Sequence, residues 1–323
     1  MSEPHEPIPQ EMIDAITKTF VISHADDPDD RLARALVYNA GRLAWRMREA
    51  GLTTEYKTSV SDVVTAADRA AEGFVAGALR ALRPDDGLLG EEGAASPSAS
   101  GRVWVIDPVD GTYNFTTGSD YWCSALALVD GDPDEVADDR GGRLLLGAVH
   151  RPAMGYTWFG GPDHPTTRDD RRLTVPDVAA GETCLGGYLR PADMTVPAVR
   201  DPWVACVEQF ATWRMLGAAS VDLGDVADGH TGCWLQASVK SWDWLPGKAL
   251  VEGAGGVCRR VTAAGRQWSV AGAPTAVDAS DSARVRSSDT GMVLVTVVSF
   301  GDAEGGAAPH PPHHPPHHRR RQP

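Results

Sequence analysis

The sequence predicts a layered α/β protein. Three observations carry this: apolar residues at helical spacing near the N-terminus, a set of strand-like apolar stretches in the middle, and an alternation of helices and strands after them. In the first, Leu32, Leu36, Leu43 and Met47 recur between Arg31 and Ala50, and Gly51 is a natural stop. A short amphipathic piece from Glu11 to Val21 precedes this helix, and a second helical segment runs from about Thr65 to Leu82. "RPDDG" then breaks the chain before "LLGEEG". The middle stretches are "YWCSALALVDGD" and "GRLLLGAVH", separated by "DPDEVADDRGG", which reads as a polar loop. "RPAMGYTWFGG" continues as the second arm of a hairpin. Helices follow near 196–212 and 218–229, a strand near 233–236, and a helix starting at Asp243. Residues 276–291 are small and polar, and "MVLVTVVSF" (292–300) is β-prone. The end, "GAAPHPPHHPPHHRRRQP", is low-complexity chain expected to be disordered, its histidines part of a solvated tail.

The chain has 323 residues, 42% hydrophobic and 23% charged, enough for a sizeable core in one large domain or two small ones. Its formal net charge of −14 argues against nucleic acid, because phosphate backbones need basic faces. It allows a small phosphorylated substrate, provided metal ions mask the carboxylates. Cys123, Cys184, Cys206, Cys233 and Cys258 form no CxxC pair and are odd in number, which reads as buried free thiols in a reducing compartment. "MSEPHEPIPQ" lacks a basic region followed by an apolar run, and no stretch reaches the roughly 18 apolar residues of a membrane span. The expectation is a cytoplasmic protein without membrane contact.

The chemistry concentrates in "WVIDPVDGTYNF", residues 104–115. A strand-like start runs into Asp107 and Asp110, three residues apart across Pro108. Proline fixes its own φ and restrains the residue before it, so both carboxylates stay near one point. Two such groups repel unless a cation lies between them, and all-oxygen donors suit a hard divalent ion, Mg²⁺ above all. Taken alone, "DPVD" reads equally well as an acidic turn capping a helix. Other stretches add carboxylates: Glu91 and Glu92 in "GEEG", Asp68 in "DVVTAADRA", and Asp243 in "SWDWLPGKALVEGAGG". No serine or cysteine nucleophile stands out; "GAASVD" is not GxSxG.

Together "WVIDPVDGTYNF", "GEEG", "DVVTAAD", "SWDWLPGKALVEGAGG" and "LGAASVDLGDVADG" (216–229) resemble the signature blocks of the inositol monophosphatase family, in order over about residues 31–275. The resemblance implies an αβαβα sandwich, hydrolysis of phosphate monoesters with Mg²⁺, a homodimer, and inhibition by lithium in many members. It implies Glu91, Asp107 and the Val109 carbonyl as ligands of one metal, and Asp107, Asp110 and Asp243 as ligands of a second. Thr112 and Asp68 match a pair that orients the attacking water, and Glu91 with Thr112 is the catalytic pair expected to position that water in line. Gly111 and Thr112 match positions whose backbone N–H groups hold the phosphate, and Asp243 and Gln236 fall at the substrate. Lys57 lies where some members have a lysine near the site.

The sequence departs from the family pattern in places. Gln236 stands where inositol-specific members carry an acidic residue, Gly253 where glutamate is typical, Asp222 falls in the substrate-recognition block, and Tyr113 takes a variable position. The implied organisation is an N-terminal extension (1–30), a catalytic domain (31–275) of two subdomains with a break near 155, and a C-terminal extension (276–323). Inositol 1-phosphate leads as substrate. Histidinol phosphate, fructose 1,6-bisphosphate and 3′-phosphoadenosine 5′-phosphate are the rivals. A non-catalytic regulator on the same fold is the alternative of another class, and the intact carboxylate set counts against it.

Overall fold

The computed structural model describes residues 9–51, 54–56, 63–263 and 265–286. Helices α1 (Gln10–Ser23) and α2 (Asp29–Ala50) come first, and Gly51 ends α2 at a φ of 100°. A short antiparallel pair, β1 (Thr54–Tyr56) and β2 (Val63–Thr65), leads into α3 (Ala66–Leu82). Next come β3 (Gly87–Gly90), β4 (Ala95–Ser96), β5 (Arg102–Asp110), α4 (Thr112–Thr116), β6 (Cys123–Asp130) and α5 (Pro133–Ala137). Strands β7 (Arg143–Arg151), β8 (Tyr156–Gly161), β9 (His164–Arg168) and β10 (Arg171–Arg172) complete an eight-stranded sheet of order β10-β9-β8-β7-β6-β5-β3-β4.

The chain continues with β11 (Cys184–Tyr188), α6 (Pro197–Val207), β12 (Thr212–Arg214), α7 (Ala219–Ala227), β13 (Cys233–Ala237) and α8 (Ser241–Gly253). Strands β14 (Val257–Ala263) and β15 (Arg266–Gly272) and helix α9 (Pro274–Arg286) end the described chain. The second sheet has the order β12-β11-β13-β15-β14, with β11 parallel to both β12 and β13.

Strand alternation sorts the core into layers. Trp104, Ile106, Leu126 and Leu128 pack with α1, α2 and α3 on one face of the first sheet. Val105, Ala125, Ala127 and Val129 point the other way, into a core shared with α7, α8, the second sheet, α6 and α9. The order of layers is helix, sheet, helix, sheet, helix, the αβαβα sandwich. Both α7 and α8 lie between the sheets, so a carboxylate at the start of α8 can meet the end of β5.

Several expectations are corrected. Past residue 155, β8 and β9 continue the first sheet by hairpin pairing, and the chain crosses to the second sheet between Arg172 and Cys184. "DPDEVADDRGG" contains α5, because Asp132 caps Asp134 and Glu135 with Pro133 in the first turn. The helix read to 212 ends at Val207, and 212–214 joins the second sheet as β12. Helix α8 begins at Ser241 rather than Asp243, and the β14–β15 hairpin had no counterpart in the sequence reading.

Neither proposed extension is simply an appendage. Phe20 packs edge-to-face on Phe74, and Ala276 and Val277 are fully buried, so packing carries beyond both 31 and 275. Lys57, "MVLVTVVSF" and the histidine-rich tail lie outside the described residues. Among the described residues no helix is long and apolar enough to cross a membrane.

Candidate metal centre

Period-two alternation places residues 107 and 110 on opposite faces of a regular strand. The structure resolves this with a bulge. Asp107 pairs with Ala125 and Asp110 with Cys123, so three steps on β5 oppose two on β6. The extra residue lies at Pro108–Val109, and proline is tolerated there because it has no N–H to lose. Ser124 Oγ donates to the Pro108 carbonyl at 2.5 Å and holds the bulge. Asp107, Asp110 and Asp243 thereby offer carboxylate oxygens that all lie within 4.8 Å of one another.

The turn after the bulge has its own restraints. Gly111 has a φ of 90°, and a Cβ there would come within 2.9 Å of Ala218 Cβ. Asn114 Nδ2 donates to the carbonyls of Tyr121 at 2.9 Å and Leu216 at 2.7 Å, tying the turn to the loop before α7. Thr112 Oγ1 lies 3.1 Å from Asp68 Oδ1 and 2.9 Å from the Val109 carbonyl.

Helix α3 supplies two carboxylates. Asp68 closes a capping box with Thr65: Thr65 Oγ1 accepts from Ala67 and Asp68, and Asp68 Oδ2 accepts from the Thr65 N–H at 2.9 Å. One turn on, buried Glu72 accepts from the N–H groups of Glu92 at 2.8 Å and Ala94 at 2.7 Å. Glu72 thus shapes the "GEEG" turn that presents Glu91. Sequence reasoning missed it, although its i, i+4 spacing from Asp68 puts both on one helix face.

The electrostatics reflect the crowding. Burial, then Glu91, Asp110 and Asp243, push Asp107 well above the usual carboxylate range. Burial and Asp110 raise Asp243 to about 7, and burial raises Asp68 to about 6. Burial also raises Asp110, against hydrogen bonds from the Ser220 and Ala219 N–H groups.

Asp107 carries the fit test for a metal. It is 1% exposed, and among the described residues neither of its oxygens accepts from an N–H or hydroxyl donor; its close polar neighbour is the Asp243 carboxyl. Buried carboxylate oxygens without a partner are costly unless a cation pairs with them. Asp107, Asp110 and Asp243 together bring three oxygen donors to one point, which fits a hard divalent cation. Glu91 stands outside the close trio but near enough to act on Asp107. A second acidic group, Asp225, Asp228 and His230, is explained without a metal: Asp228 is engaged by Arg168, Arg171 and the Trp158 indole.

The expected substrate contacts divide. Gln236 is half-buried at the end of β13, opposite Tyr188 and Ser269. Asp222 is only 5% exposed, accepting from the Tyr121 hydroxyl and the Trp234 indole, so it cannot face a substrate. Gly253 replaces the usual glutamate where a Cβ would meet Thr166 Oγ1 at 2.5 Å. Tyr113 is exposed beside the turn.

The family model described as "Inositol monophosphatase family" matches residues 26–287. A fructose-1,6-bisphosphatase/inositol-1-monophosphatase of Thermotoga maritima is 29% identical over 203 residues, 63% of this chain and 73% of that protein. A histidinol-phosphatase of Mycobacterium tuberculosis is 30% identical over 236 residues, 71% of this chain and 85% of that one. The crystal structure of the extragenic suppressor protein suhB from Bartonella henselae shares the fold, with a TM-score of 0.68 at 21% identity over 79% of this chain and 97% of that chain.

Proposed function

The chain belongs to the inositol monophosphatase family, and from that premise we propose that it is a Mg²⁺-dependent phosphatase of small phosphorylated alcohols, with inositol 1-phosphate the leading substrate. It is a phosphoric monoester hydrolase by family. The observation that carries the metal dependence is Asp107: a buried carboxylate that accepts from no N–H or hydroxyl donor among the described residues, with carboxylate oxygens of Asp110 and Asp243 within 4.8 Å.

In this reading Asp107, Asp110 and Asp243 hold one cation, and Glu91, Asp107 and the Val109 carbonyl a second. As Lewis acids, divalent cations make water a better nucleophile and offset charge on the departing oxygen. The remaining work falls to the chain. The Thr112 hydroxyl has one hydrogen and two acceptors in reach, Asp68 and Val109. Donating to Asp68 leaves its lone pairs to accept from a water and aim it. Asp68 is fixed for this by its capping box. The backbone N–H groups of Gly111 and Thr112 are the expected phosphate donors. Cys123 lies beside Asp110, but burial raises its thiol well above normal, which disfavours it as a nucleophile.

The all-oxygen donor set favours Mg²⁺, with Mn²⁺ a substitute. A homodimer is supported by the exposed Trp213, Met215 and Leu216 on and after the edge strand β12. A cytoplasmic location remains part of the same reading.

Phosphate release from inositol 1-phosphate, histidinol phosphate, fructose 1,6-bisphosphate and 3′-phosphoadenosine 5′-phosphate, each with Mg²⁺, tests the reading. Turnover of inositol 1-phosphate is expected. Turnover of none of the four would contradict it and favour a binding protein.

A further inference from the structure

Helix α7 begins without a capping side chain. Its N-cap is Ala218, which has no side-chain oxygen. The N–H groups of Ala219 and Ser220 donate instead to Asp110, one to each carboxylate oxygen. The helix takes its cap from β5, and the cap is one of the carboxylates of the metal centre. Each Asp110 oxygen has one lone pair engaged by the helix and a second that a cation can take, contested on Oδ2 by the weak Cys123 thiol donor 4.0 Å away. The direction of those remaining lone pairs therefore depends on where α7 starts.

One turn further on, Asp222 decides where α7 lies. Its Oδ1 accepts from the Tyr121 hydroxyl at 2.6 Å and its Oδ2 from the Trp234 indole at 3.2 Å. Tyr121 immediately precedes Trp122 and β6 of the first sheet, and Trp234 lies in β13 of the second. The Tyr121 carbonyl also accepts from Asn114 on the turn after Asp110. Asp222 thus ties α7 to both sheets from a buried position.

We propose that Asp222 is a positioning residue for the metal centre: by pinning α7 to Tyr121 and Trp234, it holds the Ala219 and Ser220 N–H groups on Asp110 and fixes that carboxylate for the cation. The proposal rests on the reading of Asp107, Asp110 and Asp243 as metal ligands. A side chain with a merely structural role would affect folding and leave metal affinity unchanged.

The test is calorimetric titration of Mn²⁺ into the metal-stripped full chain. The variants are Asp222→Ala, Asp222→Asn, Tyr121→Phe and, as a control, Asp86→Asn. Asp86 is also a buried anchor, accepting from the Trp104 indole, Arg102 and Ser100. Asp222→Ala is expected to weaken Mn²⁺ binding about 10-fold or more, the scale on which loss of a ligand's supporting partner acts, and Tyr121→Phe about threefold. Asp222→Asn keeps the shape and an acceptor, and is expected to stay within about twofold of wild type. Asp86→Asn should lower the melting temperature and leave Mn²⁺ affinity unchanged. If Asp222→Ala does not fold, Tyr121→Phe decides the matter. Unchanged affinity in the deciding variant, or equal weakening in Asp86→Asn, overturns the role. A wild-type chain that binds no Mn²⁺ overturns the metal reading itself, and this role with it.

Discussion

Thr112 Oγ1 stands 3.1 Å from Asp68 Oδ1, joining the turn after β5 to the first turn of α3 across 44 residues. If the pair aims the attacking water, Thr112→Ala lowers kcat by roughly 100-fold, the usual scale for a positioned proton-transfer group. KM and the melting temperature should change little. Thr112→Ser keeps the hydroxyl and most of the rate. Wild-type kcat in Thr112→Ala would remove the residue from the reaction.

Asp243→Asn and Glu91→Gln keep side-chain shape while removing charge from the two proposed cation positions. Each is expected to cost roughly 100-fold or more in rate. The fold should survive, because Asp243 and Glu91 both act on crowded buried carboxylates. Glu92→Gln should be mild by comparison. Steady-state rates beside thermal melts check all three, and a variant with near wild-type turnover loses its assigned place.

Asp222 gives a pH dependence with a definite sign. Burial raises its carboxyl from 3.8 to about 8. Between those values the folded chain keeps a proton that the unfolded chain releases, so the fold loses stability as pH rises through the window. Below 3.8 both states are protonated and the contribution is complete. Asparagine does not titrate. Asp222→Asn should therefore gain stability relative to wild type between about pH 5 and about pH 8, read from urea midpoints. A constant difference across that range would show that Asp222 is ionised in the fold.

Much of this arrangement was legible in the sequence, for identifiable reasons. Leu32, Leu36, Leu43 and Met47 all face the core, because a helical stripe is a local pattern. Asp107 and Asp110 could be paired on paper because proline restrains their spacing. The bulge that turns both to one side could not, since it depends on register with β6. Glu72 and the buried bridging role of Asp222 escaped for a related reason. Their partners, the 92–94 turn and Tyr121 with Trp234, are brought near by tertiary packing alone. The crossing between Arg172 and Cys184 was not legible, because a hairpin past residue 155 looks the same in sequence whichever sheet it joins.

Gln236 is expected to set substrate choice. Glutamine accepts a hydrogen bond without charge, and charge-assisted bonds are about twice as strong. Gln236→Glu should raise the preference for inositol 1-phosphate over fructose 1,6-bisphosphate by about 10-fold, equivalent to ~1.4 kcal/mol. The ratio of kcat/KM values for the two substrates measures it. An unchanged ratio would mean that Gln236 does not touch the bound substrate.

The central claim is that Asp107, Asp110 and Asp243 form a metal centre on which phosphate ester hydrolysis depends. Its most direct measurement is phosphate release from inositol 1-phosphate by metal-stripped protein, first in EDTA and then with Mg²⁺ restored. The account predicts no turnover in EDTA and recovery with Mg²⁺, with Mn²⁺ able to substitute. Full turnover in EDTA, by protein shown to contain no metal, would contradict it.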